Sequence, residues 1–387
     1  MKTKFDLTNP AIVKLCLLCE GVRIEEAVLK EVGRAFAEDR FRYHRVSKIP
    51  KGFEVVPSEI VLPEDIVCAV FIEEKSPWLI KYNKKGEIRL FYQEQKEICP
   101  VSLTKRPKFF ERKLSSGHLC RQIAVMYGNY VLALFIMGWC YYPAQKLGCK
   151  FCSIGSNWGE TGLGRQNLKF VTPKIAQEAV KIAIEEEGQR IKYVMYSSGS
   201  FPNNDRGFKT QTEVVKEIKK VTADRACHHF TIMPPDDFSL IKEIKDAGLS
   251  TMAFDIEVFD KRRFEELCPG KEKFYGYDKF LEVLEYAVKI FGWSNIHCGF
   301  VAGLESLETM IEGFYYLGKK GVVSDANVFH PDPGSELENK ARPCKEYVYK
   351  MAVEQAKVYK RYNLISIFPI GGRRGSLDTE VYKGYFG

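Results

Sequence analysis

From residue 130 onward the chain repeats one pattern six times: an apolar run of strand length, then a segment whose apolar residues recur at helical spacing. The runs lie at 131–137, 191–197, 228–233, 251–256, 296–302 and 323–329. Strands that alternate with helices over short connections pair in parallel, because the helix carries the chain back across the sheet before the next strand begins. Helix limits are written locally. Thr172 and Pro173 supply an N-cap and a first-turn proline, Ile175, Ala176, Ala179, Val180 and Ala183 fall on one face, and Gly188 ends the stretch. Gly248, Gly292 and Gly321 repeat the stop signal. The pattern predicts an α/β fold, a partial (β/α)6 TIM-type barrel with its helices outside.

The first 120 residues do not repeat this unit. Residues 9–40 have helical periodicity, with Ile12, Leu15 and Leu18 and then Ala27, Val28 and Val32 on apolar stripes. Residues 53–91 read as short alternating strands with a turn at Asn83, Lys84, Lys85 and Gly86. Residues 1–120 are expected to form an N-terminal α+β cap, and 121–387 the barrel with a C-terminal extension. No Pro/Ser-rich linker separates them, so the cap is expected to pack on the barrel.

Just past the first barrel strand, the stretch GWCYYPAQKLGCKFCSIG places Cys140, Cys149 and Cys152 in one loop. In such a barrel, chemistry gathers at the carboxyl ends of the strands. Three thiolates in one loop can hold three irons of a 4Fe-4S cube and leave the fourth iron for a small molecule. Two other readings stand beside this one. A Cys-x-x-Cys pair also serves half of a zinc ribbon, although zinc needs a fourth protein ligand and His118 and His228 fall outside the loop. Buried cysteines can also be simple apolar packing.

The pair GCKFC, with Phe151 between its cysteines, resembles the radical S-adenosylmethionine (SAM) superfamily at the end of its first barrel strand. The family's usual spacing is Cys-x-x-x-Cys-x-x-Cys, whereas here eight residues separate Cys140 from Cys149. The resemblance implies a 4Fe-4S cluster and SAM as cofactors. SAM is cleaved to methionine and a 5'-deoxyadenosyl radical that takes hydrogen from an unactivated C–H bond. It also implies cofactor contacts, and it names no catalytic residue. Ser198, Gly199 and Ser200 occupy the position of the family's Gly-Gly-Glu motif, where the SAM amine binds; read alone, they form a flexible turn. Asp255 and Glu257 stand at alternate positions and would share a face toward the SAM ribose or amine, or else pair with a lysine or arginine. Gly299, Val301 and Gly303 resemble the segment beside the adenine, with Glu305 one place early. Pro331, in HPDPGS, resembles the adenine-supporting turn.

Twelve cysteines exceed the need of one cluster. Cys16 and Cys19, in KLCLLCEG, are read either as ligands of a second iron-sulfur cluster or as buried residues three apart on a helix. The layout from residue 106 onward resembles the biotin synthase-like branch, including lipoyl synthases, and a radical SAM family of nitrilase gene clusters through RPKFF, GCKFCSIG, DRG, PPDD and CPGK. That resemblance implies sulfur insertion as the specific reaction. A radical SAM mutase, lyase or methylase without a second cluster stays open, as does a non-catalytic iron-sulfur or zinc protein that binds RNA or a protein partner. The nitrilase-associated family ends in a cysteine cluster, whereas 371–376 here read GGRRGS, expected as an exposed tail, with contact of Arg374 and Ser376 to SAM, substrate or a cap cluster as the alternative.

With 58 basic against 50 acidic residues, the surplus of eight charges is modest and scattered, so nucleic-acid binding is not implied. An electron donor such as ferredoxin or flavodoxin and a small-molecule or carrier-bound substrate are the expected partners. No run reaches membrane-spanning length and no signal peptide is evident, so a cytoplasmic enzyme without a membrane partner is expected. Tyr141, Tyr142, Trp158, Asn203, Asp205, His229 and His330 are candidates for the substrate mouth.

Overall fold

The computed structural model describes residues 5–37, 55–154 and 170–387. The chain starts with a helix, Pro10–Glu20, capped by the Asn9 side chain, which accepts from the amides of Ala11 and Ile12. Pro10 costs nothing at the first position, where no helical carbonyl waits for its missing N–H. Ala11, Leu15, Cys16 and Leu18 of this helix are buried.

Two small sheets complete the N-terminal part. One holds β1 (Arg23–Ile24), β4 (Trp78–Tyr82), β5 (Ile88–Tyr92) and β6 (Lys96–Pro100); the other holds β2 (Glu59–Leu62), β3 (Ile66–Ala69) and β7 (Ser102–Leu103). The β4–β5 hairpin turns at the expected place. There the Asn83 side-chain oxygen accepts from the amides of Lys85 and Glu87, a local substitute for strand pairing.

The larger sheet has seven strands. β8 (Ala124–Tyr127) pairs antiparallel with β9 (Val131–Met137), and β10 (Tyr193–Ser198), β11 (Cys227–Thr231), β12 (Thr251–Ala253), β13 (Ile296–Ala302) and β14 (Val322–Val328) follow in parallel, in sequence order. This is the predicted strand-helix alternation, with six parallel strands as in a partial barrel. Thr172 caps the helix Pro173–Glu187 and Gly188 ends it at φ 56°, while Ala176, Ala179, Val180 and Ala183 are buried as the spacing requires.

Residues 9–40 have helical periodicity, but among the described ones only Pro10–Glu20 and Glu26–Leu29 are helical, with the strand Arg23–Ile24 between them; two further expectations fail. The fourth strand stops at Ala253 rather than 256, because the chain bends and Glu257 takes φ 69°, a conformation that no strand continues through. Asp255 and Glu257 therefore do not share a face by strand alternation. The second failure concerns 371–376, which form no exposed tail. Ser376 pairs with Asn327 of β14, the Val328 amide donates to the Gly375 carbonyl at 2.9 Å, and the Ala69 amide of β3 donates to the Arg374 carbonyl at 2.8 Å. The Arg374 guanidinium meets buried Glu59 at 3.0 Å and lies 3.8 Å from the centre of the Tyr127 ring on β8. The segment thus spans the gap between β14 and β8, the two free edges of the sheet. What hides its polar backbone is pairing, which a string of Gly, Arg and Ser does not announce.

Candidate functional site

Cys140 stands three residues past the end of β9, at the N-cap position of the short helix Tyr141–Ala144. Its sulfur lies 3.0 Å from the Ser200 hydroxyl and accepts from the Ser200 amide at 3.4 Å, while the Tyr141 amide donates to the Ser200 carbonyl at 3.0 Å. Ser198, Gly199 and Ser200 are therefore no loose turn. They clamp the first cysteine from the neighbouring strand, and the Ser198 hydroxyl is bonded to Gln211 and the Gly199 carbonyl. Gly199 is required there. A Cβ would stand 2.2 Å from the Trp139 carbonyl oxygen and 2.8 Å from Cys140 Cα.

Cys149 and Cys152 form one turn, closed by the Cys152 amide on the Cys149 carbonyl at 2.9 Å, with half-buried Phe151 packed inward. All three cysteines line a single cavity of about 380 Å³ together with Trp139, Lys146 and Gly334. Burial pushes the Cys140 thiol up, against the pull of its Ser200 hydrogen bonds. Such thiols give up their protons to a metal rather than to water. Among the described residues, no three His, Cys, Asp or Glu side chains already stand as a closed metal shell. The donor set nevertheless suits a cluster, because three soft sulfurs share one open cavity and the loop that carries two of them is short.

The loop is held from two sides. The Lys150 amide donates to the Leu267 carbonyl at 2.9 Å, and the Leu337 amide donates to the Lys150 carbonyl at 3.1 Å. On the second side, the Pro331 turn follows β14, where His330 pairs with Asp332 at 2.9 Å and Ser153 donates to Asp332 at 3.2 Å. On the first side lies a residue that sequence reasoning missed. Buried Cys268 hydrogen-bonds Cys149, and that contact, ahead of burial, raises the Cys149 thiol well above its ordinary value. The CPGK string was the signal, but nothing local shows that it reaches the cysteine loop.

The other predicted contacts gather on the same side. Asp255 accepts from the Gly299 amide at 2.7 Å and fills the space that a Gly299 side chain would need. Glu257 accepts from Lys271 at 2.6 Å, and its carbonyl accepts from the Val301 amide at 2.7 Å. Gly303 leaves β13 at φ 102° against Pro343. Glu305, one place early for an adenine contact, instead accepts from the amides of Phe259 and Asp260 at 2.9 to 3.0 Å.

Several mouth candidates have other work. Tyr142 is buried and stacks on Phe274 with centroids 5.6 Å apart. Asn203 caps the helix Asn204–Thr222, and Asp205 accepts from the amides of Asp236 and Asp237. His229 is buried on β11, bonded to Thr251 at 2.8 Å and lowered by burial to about 3, so it stays neutral. Tyr141 is half-buried against Phe274, and His330 lies 4.3 Å from the Phe71 ring of the cap. Trp158 lies outside the described residues. Away from the loop, Cys16 is buried and its thiol is pushed up to about 12 by burial, and Cys19 lies near both Cys16 and Cys344.

Comparison with known proteins adds the following. Residues 145–312 match the family model described as the Radical SAM superfamily. Bacteriochlorophyllide c C-7(1)-hydroxylase of Chlorobaculum limnaeum is 29% identical over 330 residues, 82% of this chain and 81% of that protein. Among solved structures, the hydrogenase maturase HydG matches with a TM-score of 0.47 at 17% identity, over 62% of this chain and about half, 52%, of its own. A radical SAM methyltransferase from Sphaerobacter thermophilus matches at 0.42 and 12%, over 74% and 75%.

Proposed function

Because this chain carries a radical SAM superfamily domain, whose members use a 4Fe-4S cluster and SAM, we propose that Cys140, Cys149 and Cys152 ligate that cluster here. We further propose that the enzyme hydroxylates an unactivated C–H bond of its substrate, with SAM as the net oxidant, water as the source of the oxygen, and one electron returned to the cluster for each electron spent on cleaving SAM. The observation that carries the reading is the convergence of these three cysteines on one cavity at the carboxyl end of β9. With both cofactors bound, the site supplies a 5'-deoxyadenosyl radical. The protein's share is holding and shielding: Ser200 orients Cys140, and the Pro331 turn and the Leu267–Cys268 stretch brace the loop. Hydroxylation is preferred over sulfur insertion because the likeness to a hydroxylase runs over four-fifths of both chains.

Anaerobic reconstitution tests this reading. About four irons and four sulfides per chain are expected. Cys149→Ala and Cys152→Ala should each lose SAM cleavage and the spectroscopic response of the reduced cluster to SAM. A chain that binds zinc and no sulfide would refute it.

Sulfur insertion is the second reading, and Cys344 favours it by standing near Cys19, which also neighbours Cys16, where a sacrificial second cluster would sit. About eight irons per chain, with Cys16→Ala sparing SAM cleavage but not turnover, would favour it. Cys268 raises a third, non-catalytic reading, in which it closes the cluster as a fourth ligand. Cys268→Ala should retain four irons and the SAM response if the fourth iron is open, and lose iron if it is not.

A further inference from the structure

The two faces of the parallel sheet are packed differently. Alternation along the strands sends Leu132, Leu134 and Ile136 of β9, Val194 and Tyr196 of β10 and Phe230 of β11 to one face, where all are at most 1% exposed. On the other face Phe135, Met195 and Thr231 of the same strands, with Asn327 of β14, are only half-buried. Strands in the middle of a sheet keep such exposure only where they border an open space, so this face lines a lumen. At one end of it, Val131 and Tyr193 pack with Ile367 and Phe368 of the C-terminal extension and form an apolar floor.

Polar groups gather above that floor. Register carries one inward row across the sheet, from Ser197 to Thr231, Ala253 and His297, and Asp325 stands one inward step further along β14. The C-terminal extension brings Arg373 to this place, where its guanidinium ion-pairs with Asp325 Oδ1. Lys14 pins the backbone there, its Nζ donating to the Arg373 carbonyl at 2.6 Å. Asp325 is 1% exposed but the Arg373 side chain is 21% exposed, so the guanidinium borders the lumen. Among the described residues no other group takes its remaining N–H donors. Asp325 offsets only part of the charge, since burial raises its carboxyl to about 7 against the pull of Arg373. The other acidic neighbours are engaged: Asp378 accepts from the Ser366 and Ser376 hydroxyls, and Asp255 from the Gly299 amide.

His297 adds a second unmet group. Its ring is 1% exposed, and burial, with His229 and Arg373 nearby, holds it neutral. Neither of its nitrogens has a hydrogen-bond partner among the described residues. Its neighbour His229, 5.6 Å away edge-on, is by contrast bonded to Thr251. Buried polar groups are nearly always paired, so an imidazole left without a partner beside an open-sided guanidinium marks a place for a ligand.

Resting on the catalytic reading above, and naming the substrate class for that same site, we propose that Arg373 binds a carboxylate of the substrate in the lumen and that His297 donates its N–H to the same group. The free edge of a guanidinium matches the two oxygens of a carboxylate. A single cation beside Asp325 suits a monoanion and disfavours a dianion such as a phosphate. The rest of the substrate lies along Phe135 and Met195, the less polar side chains of the same face.

The test uses anaerobically reconstituted holoenzyme with SAM added, so that the cofactor site is filled. Titration calorimetry measures binding of benzoate, of benzamide, which has the same shape without the charge, and of phenyl phosphate. The proteins are wild type, Arg373→Gln, Asp325→Asn, His297→Phe and the double variant Arg373→Gln/Asp325→Asn. The change that SAM produces in the electron paramagnetic resonance (EPR) spectrum of the reduced cluster is recorded for each. Wild type should bind benzoate at least about tenfold more tightly than benzamide, and more tightly than phenyl phosphate. Arg373→Gln should lose that preference while keeping its benzamide affinity and its EPR response; an arginine with only a structural role would lower both affinities together. Asp325→Asn, which removes the competing carboxylate, should bind benzoate more tightly, and His297→Phe more weakly. If Arg373→Gln fails to fold around an unpaired Asp325, the double variant, which carries neither charge, decides the matter. Equal affinity for benzoate and benzamide in wild type, benzoate affinity retained without Arg373, or stronger binding of phenyl phosphate would overturn the proposal. A wild type whose cluster ignores SAM would overturn the cluster reading instead, and the benzoate titration of that protein still reads the lumen by itself.

Discussion

Gly199→Ala is the smallest change that should disable the site while leaving the fold. The backbone at Gly199 does not take the left-handed conformation, so alanine suffers no dihedral penalty and the contact alone decides. The added methyl would stand 2.2 Å from the Trp139 carbonyl oxygen and 2.8 Å from both Cα and Cβ of Cys140. Since non-bonded carbons rest about 3.5–4.0 Å apart, the β9 end and the β10 end must separate by roughly 1 Å. Overpacking of this size costs about 1–3 kcal/mol, which for a chain this long lowers the melting midpoint by only a few degrees. The effect on the site should be larger. Cys140 is held by Ser200, the next residue along, so the shift falls on the first cluster ligand, and a misplacement of about 1 Å can cost about 10²-fold in rate. The assay is anaerobic reconstitution followed by iron analysis, EPR of the reduced cluster with and without SAM, and a thermal melt. The expected result is a nearly wild-type melt with a lost or altered SAM response. A Gly199→Ala chain with full iron and an unchanged response would refute the account of how β10 grips the cysteine loop.

Two further outcomes concern stability. Burial pushes the Glu305 carboxyl up to about 7, against the pull of the Phe259 and Asp260 amides that it accepts from. Below about pH 4.5 it is protonated in both folded and unfolded chains, and above 7 it is ionised in both. Stability should therefore fall between those limits, by on the order of 2 kcal/mol from this group. Urea melts at pH 5 and 7.5 should show this fall in wild type and a flatter profile in Glu305→Gln; equal slopes would sink the assignment. Arg374→Met removes the partner of a buried carboxylate, Glu59, and should cost about 3 kcal/mol by urea denaturation. The double change Arg374→Met/Glu59→Gln should cost less than the two single changes together, and a fully additive result would contradict the pairing.

Much of the barrel was legible because its signals are local. The runs at 131–137 and 296–302 coincide with β9 and β13, and the helix after Thr172 starts and stops at its written cap and glycine. The cysteine loop was legible for the same reason, since metal-binding spacing is a short-range pattern. What was not legible depends on distant partners. Glu257 carries no sequence mark of its positive φ, which is imposed by hydrogen bonds to β13. Cys268 and Lys271 reach the loop only because Gly270, in the first turn of the helix Pro269–Phe274, has no side chain to hold that helix off Leu147 and Tyr142. The burial of GGRRGS comes from Glu59, Ala69 and Asn327, each far away along the chain.

That last feature bears on how the protein is made. A ribosome delivers all seven strands of the sheet before it delivers the residues that seam the β8 and β14 margins together. Until they emerge, Tyr127 and Glu59 face a seam still missing its guanidinium, and the nascent sheet has two unsatisfied borders open to mispairing. Pausing of translation after β14 but before residues 371–376 have emerged should therefore leave the chain more prone to aggregate than pausing beyond them.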